Sequence, residues 1–130
     1  MYCIFRKVFI KNCTNTKERG KTVYNSKAYY GATFLEAEDL KETNINHRIE
    51  LEYYTTKKYI NNDAKEKFIN YGIEIIKKEY KNDKIDTETN NREYISNNAE
   101  KVIEIIETLK RHKVTPIGLN DVLDDLLKAN

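Results

Sequence analysis

Apolar positions change period along this chain. Through much of residues 2–95 they come in short runs or alternate with polar ones, and from residue 98 onward they recur every three or four positions. The first pattern predicts strands and the second predicts helices. Residues 2–11 (YCIFRKVFIK) are rich in β-branched and aromatic side chains and read as a strand. Ile4, Val8 and Ile10 share one face, and Phe5 and Phe9 the other, so this strand is expected to be either central or covered on both sides. Residues 12–21 (NCTNTKERGK) read as a polar loop, and 22–30 as a second strand broken by Gly31. Thr33 followed by Glu36 is a capping box, which predicts a short helix through FLEAEDLKE with Phe34, Leu35 and Leu40 as its apolar members.

Residues 48–57 (RIELEYYTTK) alternate clearly. Ile49, Leu51, Tyr53 and Thr55 share one face; Glu50, Glu52, Tyr54 and Thr56 share the other, which is expected to be wet. Asp63 with Glu66 is a second capping box, predicting a helix over AKEKFINY that Gly72 terminates. Residues 73–80 (IEIIKKEY) and IDTETN form a predicted hairpin around Lys81-Asn82-Asp83-Lys84, with residues 93–95 as a short extension.

Asn97 with Glu100 predicts a helix over 98–112, striped by Ala99, Val102, Ile103, Ile106 and Leu109. Arg111, His112 and Lys113 suit its last turn, where the helix dipole favours positive charge. Thr115-Pro116 cannot continue it. A final helix is expected over about 119–128, striped by Leu119, Val122, Leu123, Leu126 and Leu127. The predicted fold class is α+β: a small antiparallel sheet with a central hairpin, packed against two C-terminal amphipathic helices. A single domain is expected over 1–130, with a divergent β-rich part at 1–47 and a strand-helix-hairpin-helix-helix core at 48–128.

The segments YGIEIIKKEY (71–80), YISNN (94–98) and LKRHKVTPIGLNDVLDDLL (109–127) resemble an uncharacterised family of short proteins from AT-rich anaerobic bacteria, a domain of unknown function. The shared pattern is an extended tyrosine-containing strand, a YGI-type strand start and a V-[ST]-P-I-x-L-x-D-V ending. Here that ending is Val114, Thr115, Pro116, Ile117, Leu119, Asp121 and Val122. The resemblance spans about residues 48–127, leaves the first 47 unmatched and implies no catalytic residue.

Composition narrows function more than fold. Charged residues make up 34% of the chain, yet the net charge is only +2, a weak balance for a dedicated nucleic-acid binder. The basic residues Arg6, Lys7, Lys11, Lys17, Arg19 and Lys21 cluster near the start and form the candidate nucleic-acid contact; the plainer reading is a solvated strand edge and loop. Abundant Lys, Asn, Ile and Tyr point to an AT-rich bacterial or phage gene. Cys3 and Cys13 form no C-x-x-C pair, nothing reads as a secretory leader, and residues 2–10 are too short and too charged to cross a bilayer. A reducing cytoplasm is therefore the expected location, with no membrane association.

Candidate chemistry is sparse. His47 and His112 stand apart, with no His or Cys at helical spacing, so no metal site is expected. Asp121 and Asp125 share a helix face, where the dipole accounts for them. Glu79-Tyr80-Lys81 has an E-x-K spacing without the upstream aspartate that a metal nuclease needs, and no glycine-rich phosphate loop exists. No Cys–His or Ser–His signature supports nucleophilic catalysis. No cofactor is expected. The last helix carries Asp121, Asp124 and Asp125, which disfavours DNA reading by a helix-turn-helix. The ten tyrosines stand out, and Tyr29, Tyr30, Tyr53 and Tyr54 form the candidate protein interface, each adjacent pair placing one ring on either face of a strand. Ordinary strand propensity is the competing explanation. The expectation is a small non-enzymatic intracellular protein acting by protein–protein interaction in a regulatory role. The alternatives are an inhibitor of a host defence complex encoded by a phage or mobile element, and a weak nucleic-acid binder using the basic N-terminal segment.

Overall fold

The single proline, Pro116, lies beyond the last strand, so no missing amide interrupts strands of up to 15 residues. A computed structural model describes residues 3–5, 8–18, 21–45, 47–62 and 67–128. The elements are β1 (Cys3–Phe5), β2 (Val8–Glu18), β3 (Lys21–Leu35), α1 (Ala37–Leu40), β4 (Arg48–Asn62), β5 (Lys67–Lys81), β6 (Lys84–Ser96), α2 (Ala99–Arg111) and α3 (Leu119–Lys128). The strands form one six-stranded sheet in chain order, antiparallel throughout. With α2 and α3 packed against it, the fold is α+β.

The alternation in β4 sets the core. Leu51 and Tyr53 face the helices, and the register brings Ile73 and Ile75 of β5 to the same side. Against them pack Val102, Ile105, Ile106 and Leu109 of α2, then Val114, Leu119 and Leu123. Each such aliphatic burial stabilises by about 1.5–3 kcal/mol, against the entropy of ordering. The helical stripe is rotated from its expected position. Ile105 is buried, whereas Ile103 is 42% exposed and Ala99 is exposed. The cap also moves by one residue: the Asn98 side chain, not Asn97, accepts the Glu100 amide at 2.9 Å.

α2 ends before the proline acts. Lys113 takes left-handed backbone (φ 54°), its amide donates to the Lys110 carbonyl and the Val114 amide to the Leu109 carbonyl. These bonds satisfy the last carbonyls of the helix, and Val114 and Leu109 both join the core. The link to α3 is then tied to the sheet. The Tyr53 hydroxyl donates to the Val114 carbonyl at 2.8 Å and the Asn90 amide to the Pro116 carbonyl at 2.9 Å.

Several expected elements are corrected. The single strand expected over 2–11 is two: β1 pairs antiparallel with the start of β2, Ile4 opposite Phe9, and β1 stands at the end of the sheet order. The loop expected at 12–21 is strand through Glu18, because the polar residues Thr14 and Thr16 pair with Asn25 and Val23 of β3. Gly31 does not end β3; it lies beside a bulge, and the strand continues through Leu35. The capping box moves accordingly to Glu36 and Asp39, opening only a four-residue helix. The helix expected over 64–71 is strand from Lys67 onward, with Ile69 and Tyr71 pairing with Tyr59 and Lys57; Asp63 and Glu66 lie outside the described residues. Long-range pairing overrides local propensity here. The hairpin stands where expected, but Asn82 and Asp83 turn without positive φ.

Candidate functional site

Side chains alternate across a strand, so the registers also define the second face of the sheet. Among the described residues no helix covers it. It carries Lys27 and Tyr29 from β3, Glu52, Tyr54, Thr56 and Lys58 from β4, and Asn70, Gly72, Glu74 and Lys78 from β5. The centre of this face is nevertheless dry. Tyr54 is 1% exposed and Glu52 8%, which overturns the wet face expected for β4.

The shielding comes from neighbouring side chains. Tyr29 meets Tyr54 edge-on, with ring centroids 5.6 Å apart. The Lys27 ammonium stands 4.5 Å above the Tyr54 ring and pairs with Glu74. The Tyr54 hydroxyl donates to Glu52 at 3.0 Å, and Lys78 donates to the same carboxylate at 3.1 Å. Burial, then the bond to Glu52, pushes the Tyr54 phenol well above its ordinary value.

Apolar side chains flank this centre. At one end Val23, Ile60 and Phe68 align across β3, β4 and β5, with Phe68 49% exposed. At the other, Arg48 stacks over Phe34 at 4.1 Å, and Tyr80 pairs with the exposed Ile85. Between the first end and the centre lies a shallow groove of about 210 Å³, lined among others by Asn25, Thr56, Asn70, Asn91 and Tyr94.

The expected interface tyrosines divide. Tyr53 is fully buried under the helices, and burial raises its phenol far above the ordinary value. Tyr54 is buried on the opposite face. Tyr29 and Tyr30 are half-buried. The Tyr30 hydroxyl donates to Glu107 of α2, and that bond, followed by burial, lifts its pKa to about 12. Among the described residues the large exposed aromatic ones are instead Tyr24, Phe68, Tyr80 and Tyr94. Nothing in the local sequence of Tyr94 signals its position, whereas Phe68 was hidden within an expected helix.

Of the basic residues near the start, Arg6, Lys7 and Arg19 lie outside the described residues. Lys11 and Lys17 fall on β2 and Lys21 on β3, where only the backbone is described. His47 bonds Glu79 at 2.8 Å on the helix-bearing face. Glu79 is held below the usual carboxylate range by Lys77 first and His47 second. Lys81 of the E-x-K tripeptide pairs with Asp86 at 2.6 Å. His112 caps the end of α2, and Asp121 and Asp125 are exposed on α3. Among the described residues no three His, Cys, Asp or Glu side chains converge as a metal site would require, and no helix is long and apolar enough to cross a membrane.

The family described as Family of unknown function (DUF6514) matches residues 32–129, and the chain belongs to it. The match begins within β3, earlier than the residue 48 expected, and takes in the rest of that strand, α1 and the turn into β4. No curated protein and no solved structure matches the chain.

Proposed function

We propose that this member of the DUF6514 family is a non-enzymatic protein that binds another protein through the uncovered face of its sheet. The observation carrying this reading is the pair of exposed apolar residues flanking that face, Phe68 (49% exposed) and Ile85 (55%). Exposed apolar side chains around a rigid, self-shielded centre suit a protein contact. The described lysines of this face, Lys27, Lys58 and Lys78, are each ion-paired to Glu74, Glu93 and Glu52, which favours a protein over a polyanion. Composition supports an AT-rich bacterium or its phage as the source, the unpaired cysteine pattern a cytoplasmic setting, and a regulatory role accords with the small size.

The test is affinity capture from the native host with the intact protein and with Phe68→Asp, Ile85→Lys and Ile117→Lys variants. Ile117 is exposed on the helix side and serves as the control. One partner lost with Phe68→Asp or Ile85→Lys and kept with Ile117→Lys supports the reading. Loss confined to Ile117→Lys, or recovery of no partner, sinks it.

A further inference from the structure

Tyr94 has φ 57°, a left-handed backbone that a bulky L residue rarely adopts. The register shows where this comes from. Between the pairs Tyr71–Ser96 and Ile73–Arg92, β5 has one residue, Gly72, while β6 has three, Glu93, Tyr94 and Ile95. Ile95 packs against the core, whereas Tyr94 is left 55% exposed, so core packing does not explain its strained backbone. Rare backbone conformations gather at functional sites, and bulges re-aim side chains there.

The bulge places Tyr94 at the groove on the uncovered face, which has two further properties. Its amides, Asn25, Asn70 and Asn91, each offer both a donor and an acceptor, and Thr56 adds a hydroxyl. Among its lysines, Lys27 pairs with Glu74 and Lys58 stands 3.8 Å from Glu93, and the Lys58 ammonium also stands 5.4 Å from the Tyr94 ring centroid. Lys57 holds its ammonium 6.0 Å from the Tyr71 ring, its neighbour across the strands.

We propose that this groove binds a neutral polyhydroxylated ring, the chemistry of one sugar residue, with Tyr94 against its C–H face. A sugar ring carries hydroxyls that both donate and accept, which amides and hydroxyls match and a one-sign charge cluster would not. Its C–H groups are weakly positive and suit the negative face of a tyrosine ring. The volume of about 210 Å³ is on the scale of a single small ring rather than a long chain. This inference goes beyond the protein-binding reading, since the groove and Phe68 are altered by different substitutions.

The experiment is a backbone-amide NMR titration of the full chain with glucose, galactose and N-acetylglucosamine, alongside adenosine and inorganic phosphate. Tyr94→Gly is the informative variant: glycine accepts the left-handed backbone, so the fold is kept while the ring is lost. At least one sugar is expected to shift Asn70, Gly72, Asn91 and Tyr94. Tyr94→Gly should weaken that binding about tenfold with the urea midpoint held or raised, and Tyr94→Trp should retain it. Shifts from adenosine or phosphate in place of the sugars would overturn the proposal, as would no shift with any sugar. A midpoint that falls in Tyr94→Gly as far as in a core variant would make Tyr94 structural and overturn it equally. Failure here with Phe68→Asp still abolishing partner capture would leave the protein-binding reading standing.

Discussion

The backbone of Arg92 lies directly over Gly72, its carbonyl oxygen where a β-carbon on Gly72 would stand. That β-carbon would also come within 2.7 Å of Thr56 Oγ1 and 2.9 Å of Glu93 Cα. Two of the three obstacles are backbone, so no rotamer change relieves them. Gly72→Ala is therefore expected to destabilise by about 3 kcal/mol or more, at the upper end for overpacking. Urea denaturation reads this as a lower midpoint, and a midpoint matching the parent would show that the β6 bulge moves aside freely.

The rotated stripe of α2 gives a paired comparison. Ile106 is fully buried, while Ile103, expected beside it, is 42% exposed. Ile106→Ala should cost about 2–5 kcal/mol by leaving a cavity under the helix. Ile103→Ala should stay within about 0.5 kcal/mol. Equal costs in chemical denaturation would place the helix in the rotation that the simple three-and-four spacing suggests.

That contrast shows what the chain made legible. The Ile49–Thr55 alternation and the Val102–Leu109 spacing each mark the face turned to the core between sheet and helices, and both elements stand where the pattern puts them. The lengths of β2, β3 and β5 were hidden because Thr14, Thr16, Gly31 and Gly72 read locally as loop or cap signals. Their strand state comes from partners far along the chain: Thr16 pairs with Val23, and Thr56 with Gly72. Tyr53 and Tyr54 were legible as occupants of opposite faces but not as buried on both, since Tyr54 is shielded by Lys27 and Tyr29 from another strand. Tyr94 was the least legible. Its left-handed backbone follows from three residues of β6 facing one of β5, a mismatch that exists only once the strands are paired.

The one-residue shift of the α2 cap is testable in the same way. Asn98 accepts the Glu100 amide at 2.9 Å, satisfying one of the first free amides of the helix. Asn98→Ala should cost about 1 kcal/mol and lower the melting temperature by about 4 °C. Asn97→Ala, one residue outside the helix, should leave the melting temperature nearly unchanged. The reverse ranking in thermal melts monitored by circular dichroism would return the cap to Asn97.

Alkaline pH probes the two buried phenols on opposite faces of β4. Tyr53 and Tyr54 both have pKa values raised above the ordinary 10.0, burial being the largest cause for each. The unfolded chain therefore releases these protons at lower pH than the folded one. Their contribution to stability is fully present below pH of about 10 and declines as pH rises through the folded values. Phenolate absorbance should show the Tyr53 and Tyr54 phenols ionising together with loss of the strand signal in circular dichroism. Tyr53→Phe removes one of the two ionisations. It should lose about 1 kcal/mol at neutral pH with the bond to the Val114 carbonyl, yet lose stability less steeply above pH of about 10. If every tyrosine ionised in a single step while the strand signal stayed intact, neither phenol would be shielded as the structure requires.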